Sequence, residues 1–368
     1  MRHLPFRRAR LPQGIAFTCP ELPQTGESLQ LRRLPLVTLY ATDRCNSRCV
    51  TCDYWRHGRT DVTLGSVLNM LPVLNELQTQ VVLLSGGEPL LNPEWPAIAH
   101  ALRANGQRVW LLTSGLSLLK HTRRAAELFD NITVSLDGTD AQTYQAIRGL
   151  DAFDKVCAGI RAIALAGVPP TLRVTLQRAN YRQLPQFVTL ARQLGAAAVS
   201  FLPVDVANPH AFGRTDNFAK DLALGDDDLP ALEQLLTELE RTEASSFASG
   251  FIAENPRKLR RILQYFRAQR GLCEYPPVRC NAPEFSAVIA ANGAVQPCFF
   301  IEGPADAVQS DLLSAIDGKS MQRLREVIRA GGRSECKGCV CHMWRDPEQI
   351  HAAAAPRSAR FAVPASVS

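Results

Sequence analysis

Three thiols fall within eight residues in the run Ala41-Thr42-Asp43-Arg44-Cys45-Asn46-Ser47-Arg48-Cys49-Val50-Thr51-Cys52. A closed structural zinc site or a filled iron–sulfur cluster takes four protein ligands. Three clustered cysteines therefore imply a metal centre with one position left for another molecule, and an open position permits chemistry. Arg44, Arg48, Arg56 and Arg59 surround the thiols, and positive charge lowers thiol pKa and holds an anionic cluster. The same ligands would serve a zinc ion completed by His57, or the three cysteines could be incidental, so the elements that position them must decide.

The cysteine loop follows an apolar, strand-like segment over residues 36–41. From about residue 34 to 203 short β-branched or apolar runs alternate with amphipathic stretches. This predicts strands at 36–41, 81–84, 108–112, 132–136, 171–176 and 198–202, and helices near 63–77, 94–104, 117–128, 153–166 and 184–194, with Gly106, Gly167 and Gly195 at helix ends. Six β–α units imply parallel strands, whose ligand-binding loops leave their carboxyl ends. The cysteine loop would follow strand one, Ser85-Gly86-Gly87-Glu88-Pro89 strand two, Thr113-Ser114-Gly115 strand three and Asp137-Gly138 strand four. These polar, glycine-rich turns converge on one rim.

Length and composition bound the rest. The chain has 368 residues, 46% of them hydrophobic, enough for one large domain and a smaller one. The net charge of +6 contains no long block of like charge, so no nucleic-acid partner is predicted. Leu11 to Thr25 is broken by Pro12, Gly14, Pro20 and Pro23, which argues against a signal peptide and makes the cytoplasm the expected compartment despite eleven cysteines. No apolar run is long enough to span a bilayer.

Cys45-x3-Cys49-x2-Cys52 after the first strand, with Gly86-Gly87-Glu88-Pro89 after the second, resembles the radical S-adenosylmethionine superfamily over roughly residues 35–203. The resemblance implies a partial (β/α)6 TIM-like barrel in which Cys45, Cys49 and Cys52 hold three irons of a 4Fe-4S cluster. S-adenosylmethionine chelates the fourth iron and is cleaved by one electron to a 5′-deoxyadenosyl radical that abstracts hydrogen from a substrate. It also implies that Gly86, Gly87 and Glu88 receive the methionine ammonium, that Ser135 contacts the cofactor, and that Ser114 and Leu202 line the ribose or adenine. Arg148 would contact the cofactor carboxylate or pair with Asp151, the latter being favoured. The family usually has an aromatic residue immediately before the third cysteine; this chain has Thr51, with Tyr54 and Trp55 as nearby substitutes.

A second cysteine field follows an acidic-to-helical stretch, residues 206–272, read as a helical linker. Cys280, Cys298, Cys336 and Cys339 have the spacing C-x17-C-x37-C-x2-C, and Asn292-Gly293 between apolar runs signals a tight hairpin. This resembles the twitch and SPASM modules of a radical S-adenosylmethionine subgroup, small cysteine-rich β-hairpin and helix modules. It implies one closed auxiliary 4Fe-4S cluster on those four thiols, with Cys273 or Cys341 as substitutes. A zinc site at Cys336-x2-Cys339 is the competing reading, and Cys19 and Cys157 read as packed thiols. The expected division is 1–33 as N-terminal extension, 34–205 as barrel core, 206–272 as linker, 273–345 as auxiliary module and 346–368 as tail.

The expected protein is an enzyme taking a peptide or small-molecule substrate and an external one-electron donor such as flavodoxin or ferredoxin, with oxidative modification as the favoured outcome. Asp205, His210 and Arg214 are candidate acid or base residues. The alternative is a non-catalytic iron–sulfur or zinc protein acting as redox sensor or binding module.

Overall fold

The computed structural model describes residues 30–208, 211–214, 220–305, 311–346 and 350. His210 and Cys19 lie outside these residues. The chain alternates as the apolar pattern requires: β1 (Leu36–Thr42), α1 (Tyr54–His57), α2 (Leu64–Glu76), β2 (Val81–Gly86), α3 (Trp95–Ala104), β3 (Arg108–Thr113), α4 (Leu118–Leu128) and β4 (Asn131–Ser135). Then come α5 (Ala141–Arg148), α6 (Phe153–Leu165), β5 (Thr171–Leu176), α7 (Leu184–Gln193) and β6 (Ala198–Pro203). Thr63 caps α2, its hydroxyl accepting from the Ser66 amide at 3.1 Å, and Pro96 and Pro185 stand in the first turns of α3 and α7, where no amide is missed.

Strands β1 to β6 are parallel and lie side by side in chain order. Every second residue faces the helices: Val37 and Leu39, Val82 and Leu84, Val109 and Leu111, Ile132 and Val134, Leu172 and Val174. These join Ile98, Leu102, Ala125, Ile160, Ile163 and Phe187 of the helices in one core. Burying that apolar face is what holds the sheet and fixes its register.

The stretch read as a linker covers the β6 end of the sheet. It holds α8 (Leu229–Thr242), α9 (Ala244–Ala248) and α10 (Pro256–Gln269). Glu254 accepts the Phe201 amide at 2.8 Å, and the Tyr265 hydroxyl donates to the Val204 carbonyl at 3.1 Å. The cysteine-rich region supplies α11 (Ala282–Phe285), β7 (Ser286–Ile289), β8 (Val295–Gln296), α12 (Leu312–Asp317), α13 (Lys319–Arg329) and α14 (Ser334–Lys337). The hairpin forms where Asn292-Gly293 predicts it, with Gly293 at φ 86 and the Asn292 side chain accepting from the Ala294 amide at 3.1 Å. Its strands do not make a separate sheet. β7 pairs parallel with β1, from Leu36 against Ser286 to Leu39 against Ile289, so the described residues form one eight-stranded sheet in the order β6-β5-β4-β3-β2-β1-β7-β8.

Candidate metal and cofactor site

The cysteine loop is anchored at its root by the turn after β2. The Gly87 amide donates to the Thr42 carbonyl and the Glu88 amide to the Arg44 carbonyl, both at 2.8 Å. Only glycine permits this approach. A β-carbon at Gly86, which has φ 114, would lie 2.1 Å from the Thr42 oxygen, and one at Gly87 2.1 Å from the Arg44 oxygen. Arg44 ties the loop down from its other side, with Nε 3.0 Å from Asp61 Oδ1 and Nη2 3.0 Å from the Leu91 carbonyl.

The three sulfurs have polar company. The Ser47 amide donates to Cys45 Sγ at 3.4 Å, Ser47 Oγ lies 3.1 Å from Cys49 Sγ, and Arg148 Nη1 donates to Cys49 Sγ at 3.3 Å. Burial pushes the Cys45 and Cys52 thiols up to about 12, so an unliganded site keeps its protons. Metal ligands must be deprotonated, so a bound metal would take the protons' place. Three soft donors on one loop, with N–H groups and a guanidinium directed at sulfur, fit an iron–sulfur cluster. Among the described residues, no three His, Cys, Asp or Glu side chains converge as one metal ion would need.

Arg148 sits at the end of α5, a helix that the sequence reading missed. Its Nε lies 2.8 Å from Asp137 Oδ2, so its partner is Asp137 and not Asp151. Against the burial that would lower it, Asp137 and Cys49 hold the Arg148 pKa above its ordinary value.

Two of the residues expected at the cofactor are bonded to each other. Glu88 is fully buried, and its carboxylate accepts from Thr113 Oγ1 at 2.8 Å, the Ser114 amide at 2.7 Å and Ser114 Oγ at 2.6 Å. Burial raises its pKa, with Ser114 and Thr113 opposing. Glu88 and Ser114 thus satisfy each other, which an isolated buried carboxylate requires, and only the backbone of the Gly86-Gly87-Glu88 turn is left for a ligand. Ser135 and Leu202 do lie on the open face. Opposite the helix-packed face, Leu83, Trp110, Leu112, Thr133, Ser135, Arg173, Thr175 and Leu202 are half-buried, and none belongs to the core cluster. Ser135 makes no side-chain hydrogen bond among the described residues. Trp110 and Arg173 escaped sequence reading, although a tryptophan and an arginine inside otherwise apolar strands were the available signal.

Asp205 and Arg214 hold a loop onto the cysteine turn and are not free for proton transfer. Arg214 donates to the carbonyls of Thr51, Asn208 and Asp205 at 3.1, 3.1 and 2.6 Å. The Phe212 carbonyl accepts from the Asp53 amide at 3.1 Å and from Cys52 Sγ at 3.3 Å, with Phe212 held at φ 62. Tyr54, expected to face a ligand, stacks edge-on against Tyr40 at 5.9 Å and underlies Gly213, while Arg56 covers Trp55.

The second field gathers five thiols. Burial pushes Cys298 up to about 12, with Cys280 and Cys336 adding to the rise, and burial likewise raises Cys339 beside Cys341, Cys280 and Cys298. Cys341 is half-buried beside them, and desolvation raises its pKa while Arg173 and Lys258 oppose the rise. Cys273 is exposed, its Sγ 3.6 Å from the Gln264 carbonyl, and stands apart. Cys157 is buried in α6 as a packed thiol. The two fields are neighbours. Burial and then Tyr54 raise the Tyr40 pKa, and Cys52 and Cys298 both add to it. Phe212 meets Phe300 edge-on at 5.9 Å, and Asn208 Nδ2 donates to the Phe300 carbonyl at 2.8 Å.

Residues 39–191 match the model of the Radical SAM superfamily. The chain is 31% identical over 173 residues to the AdoMet-dependent heme synthase of Methanosarcina barkeri, covering 44% of this chain and 48% of that protein. It is 29% identical over 165 residues to the mycofactocin maturase MftC of Mycobacterium tuberculosis, covering 44% of this chain and 42% of that one. The chain thus spans less than half the length of these relatives. Its fold is similar to that of Streptococcus suis SuiB bound to S-adenosylmethionine (TM-score 0.58, 14% identity, 85% of this chain and 73% of the other). It is also similar to anSMEcpe with bound AdoMet and a peptide (TM-score 0.60, 17% identity, 83% and 86%). No helix among the described residues is long and apolar enough to cross a membrane.

Proposed function

Because residues 39–191 form a domain of the radical S-adenosylmethionine superfamily, we propose that the chain is a radical S-adenosylmethionine enzyme with a 4Fe-4S cluster on Cys45, Cys49 and Cys52. The observation that carries this reading is the three-thiol loop bonded at its root to the Gly86-Gly87-Glu88 turn. When bound, the cluster and cofactor supply a one-electron cleavage of the sulfonium and abstraction of a hydrogen atom from substrate. The protein's own part is to orient and shield. Ser47 and Arg148 donate to the sulfurs, the Gly86-Gly87-Glu88 turn offers backbone acceptors to the methionine ammonium, and Ser135 and Leu202 flank the remainder. Tyr40 lies beside Cys52, and Phe212 and Arg214 bond to Cys52 and Thr51 of the cysteine turn from the other side.

Cys280, Cys298, Cys336 and Cys339 would hold an auxiliary 4Fe-4S cluster, with Cys341 as fifth candidate. Its nearness to the first field through Tyr40 and Phe212 suits an electron acceptor after hydrogen abstraction, and hence an oxidative modification. The substrate is a peptide or a small molecule, a peptide being supported by the maturase relative and by the peptide-bound neighbour, and the electron donor is a flavodoxin or ferredoxin. The same division into barrel core, 34–205, and auxiliary module, 273–345, is retained.

Anaerobic reconstitution with iron and sulfide, then dithionite and S-adenosylmethionine, tests both sites. The wild type should form 5′-deoxyadenosine. A variant with Cys45, Cys49 and Cys52 all changed to alanine should form none, yet keep the iron of the second field. Equal product from both proteins would remove the assignment, and an iron-free triple variant would remove the auxiliary cluster.

A further inference from the structure

Helix α10 carries Arg257, Lys258, Arg260, Arg261, Arg267 and Arg270 and no carboxylate. The cations on its α8 side are answered. Arg260 meets Glu240 at 2.7 Å, Arg267 meets Glu233 at 2.8 Å, and Arg270 meets Asp226, just ahead of α8, at 2.8 Å. Lys258 lies 4.0 Å from Glu254. Arg257 and Arg261, one turn apart, have no carboxylate partner among the described residues. Burial and then Arg257 lower the Arg261 pKa, as two like charges side by side require. Arg261 Nη2 donates to the Pro277 carbonyl, which brings it to the segment that leads into Arg279 and Cys280. Arg279 is exposed and lies over the Trp344 ring, 3.9 Å from its centroid, and it too meets no carboxylate among the described residues. Lys337 is exposed between Cys336 and Cys339, and the next residue, Gly338, lies against the Tyr275 ring. Of the described carboxylates close in sequence, Glu335 is taken by Arg333, Asp346 accepts from the Trp344 indole at 3.2 Å, and Glu274 pairs with none of these cations.

Arg257, Arg261, Arg279 and Lys337 thus form a patch of uncompensated positive charge around the second cysteine field. An exposed cation needs no partner, so a solvated face would account for one or two of them. Four gathered at one cysteine field, beside a helix whose other arginines are paired, set up a potential that attracts an acidic surface. Encounters between redox proteins are small, and charge steers them. The first cysteine loop is bonded to the β2 turn on one side and to Phe212 and Arg214 on the other. The second field instead has Arg279 next to Cys280 and Lys337 between Cys336 and Cys339. We propose that this patch is the docking surface for the one-electron carrier, an acidic redox protein that seats its carboxylates on Arg257, Arg261, Arg279 and Lys337 and delivers its electron at the second cysteine field. The carrier is oxidised by one electron and the chain reduced by one, with no bond made or broken. The inference rests on the reading of the second field as an auxiliary cluster.

Isothermal titration of the reconstituted full chain with flavodoxin and with ferredoxin reads docking without turnover. Affinity for the wild type should fall as salt is added. Arg257→Glu/Arg279→Glu should weaken the tighter of the two complexes on the order of tenfold. Arg123→Glu/Arg124→Glu, the same change of charge at exposed positions of α4, should leave it unchanged. With dithionite all three proteins should form 5′-deoxyadenosine at the same rate, and with the reduced carrier only Arg257→Glu/Arg279→Glu should be slower. The inference is overturned by equal affinity in the two variants, by an affinity indifferent to salt, or by no binding of either carrier to the wild type. Binding that follows these charges in a chain that makes no 5′-deoxyadenosine with dithionite would sustain the docking surface and fail the enzymatic reading. The iron content of the triple-alanine variant reports separately on the auxiliary cluster.

Discussion

Asp137 and Arg148 form a pair whose side chains are 5% and 10% exposed, and the arginine continues to Cys49. Asp137→Asn would strand a buried cation next to the cluster loop, and breaking such a pair by removing one partner costs roughly 3–5 kcal/mol. Urea denaturation should register that loss, and a change below about 1 kcal/mol would show that Arg148 finds other compensation. At this scale the sequence was informative where spacing alone decides, as with Cys45, Cys49 and Cys52. It was uninformative where a partner comes from another strand. Glu88 reads as a ligand contact beside Gly87, but Thr113 and Ser114 reach it only because β2 and β3 are neighbours. Arg148 was assigned to Asp151, three residues along, because its true partner lies at the end of β4.

Helix α5 delivers Arg148 to the thiols, and its first turn depends on Asp140, whose carboxylate accepts from the Thr143 amide at 2.8 Å. That bond comes first among the causes holding the Asp140 pKa below its ordinary value. The folded pKa is depressed, so the cap's contribution is present above the unfolded value of about 3.9 and is lost as pH falls through the lower folded value. Asp140→Ala should cost about 1 kcal/mol near neutral pH. In denaturation series the gap to wild type should narrow in acid, and a gap constant down to the lowest pH would contradict the role. Gly87→Ala acts on another element, driving a β-carbon into the Arg44 carbonyl. The reconstituted variant should lose the iron of the first field, and full iron content would mean that the β2 turn does not support the cysteine loop. Six strands and five helices of the barrel could be read to within two residues because their apolar faces are long and periodic. α5 could not, since Ala141–Arg148 is short and mostly polar, although Asp140 before it and Gly149 after it were its start and stop signals.

Across the whole molecule, the two cysteine fields share one sheet. The hairpin of the second field was legible from Asn292-Gly293, yet its addition to β1 was not, because parallel pairing between residues some 250 positions apart leaves no local pattern. The stretch called a linker likewise proved to cover β6 through Glu254 and Tyr265. This arrangement puts Cys52, Tyr40 and Cys298 in one neighbourhood. Its central claim is that the three-thiol loop is an iron–sulfur centre with a position for S-adenosylmethionine. The most direct measurement is the EPR spectrum of the anaerobically reconstituted, dithionite-reduced chain before and after addition of S-adenosylmethionine. The account predicts a signal perturbed by the cofactor in wild type and missing when Cys45, Cys49 and Cys52 are alanine. A cluster signal that the cofactor leaves unchanged, or one that survives the triple substitution with the same response, would contradict it.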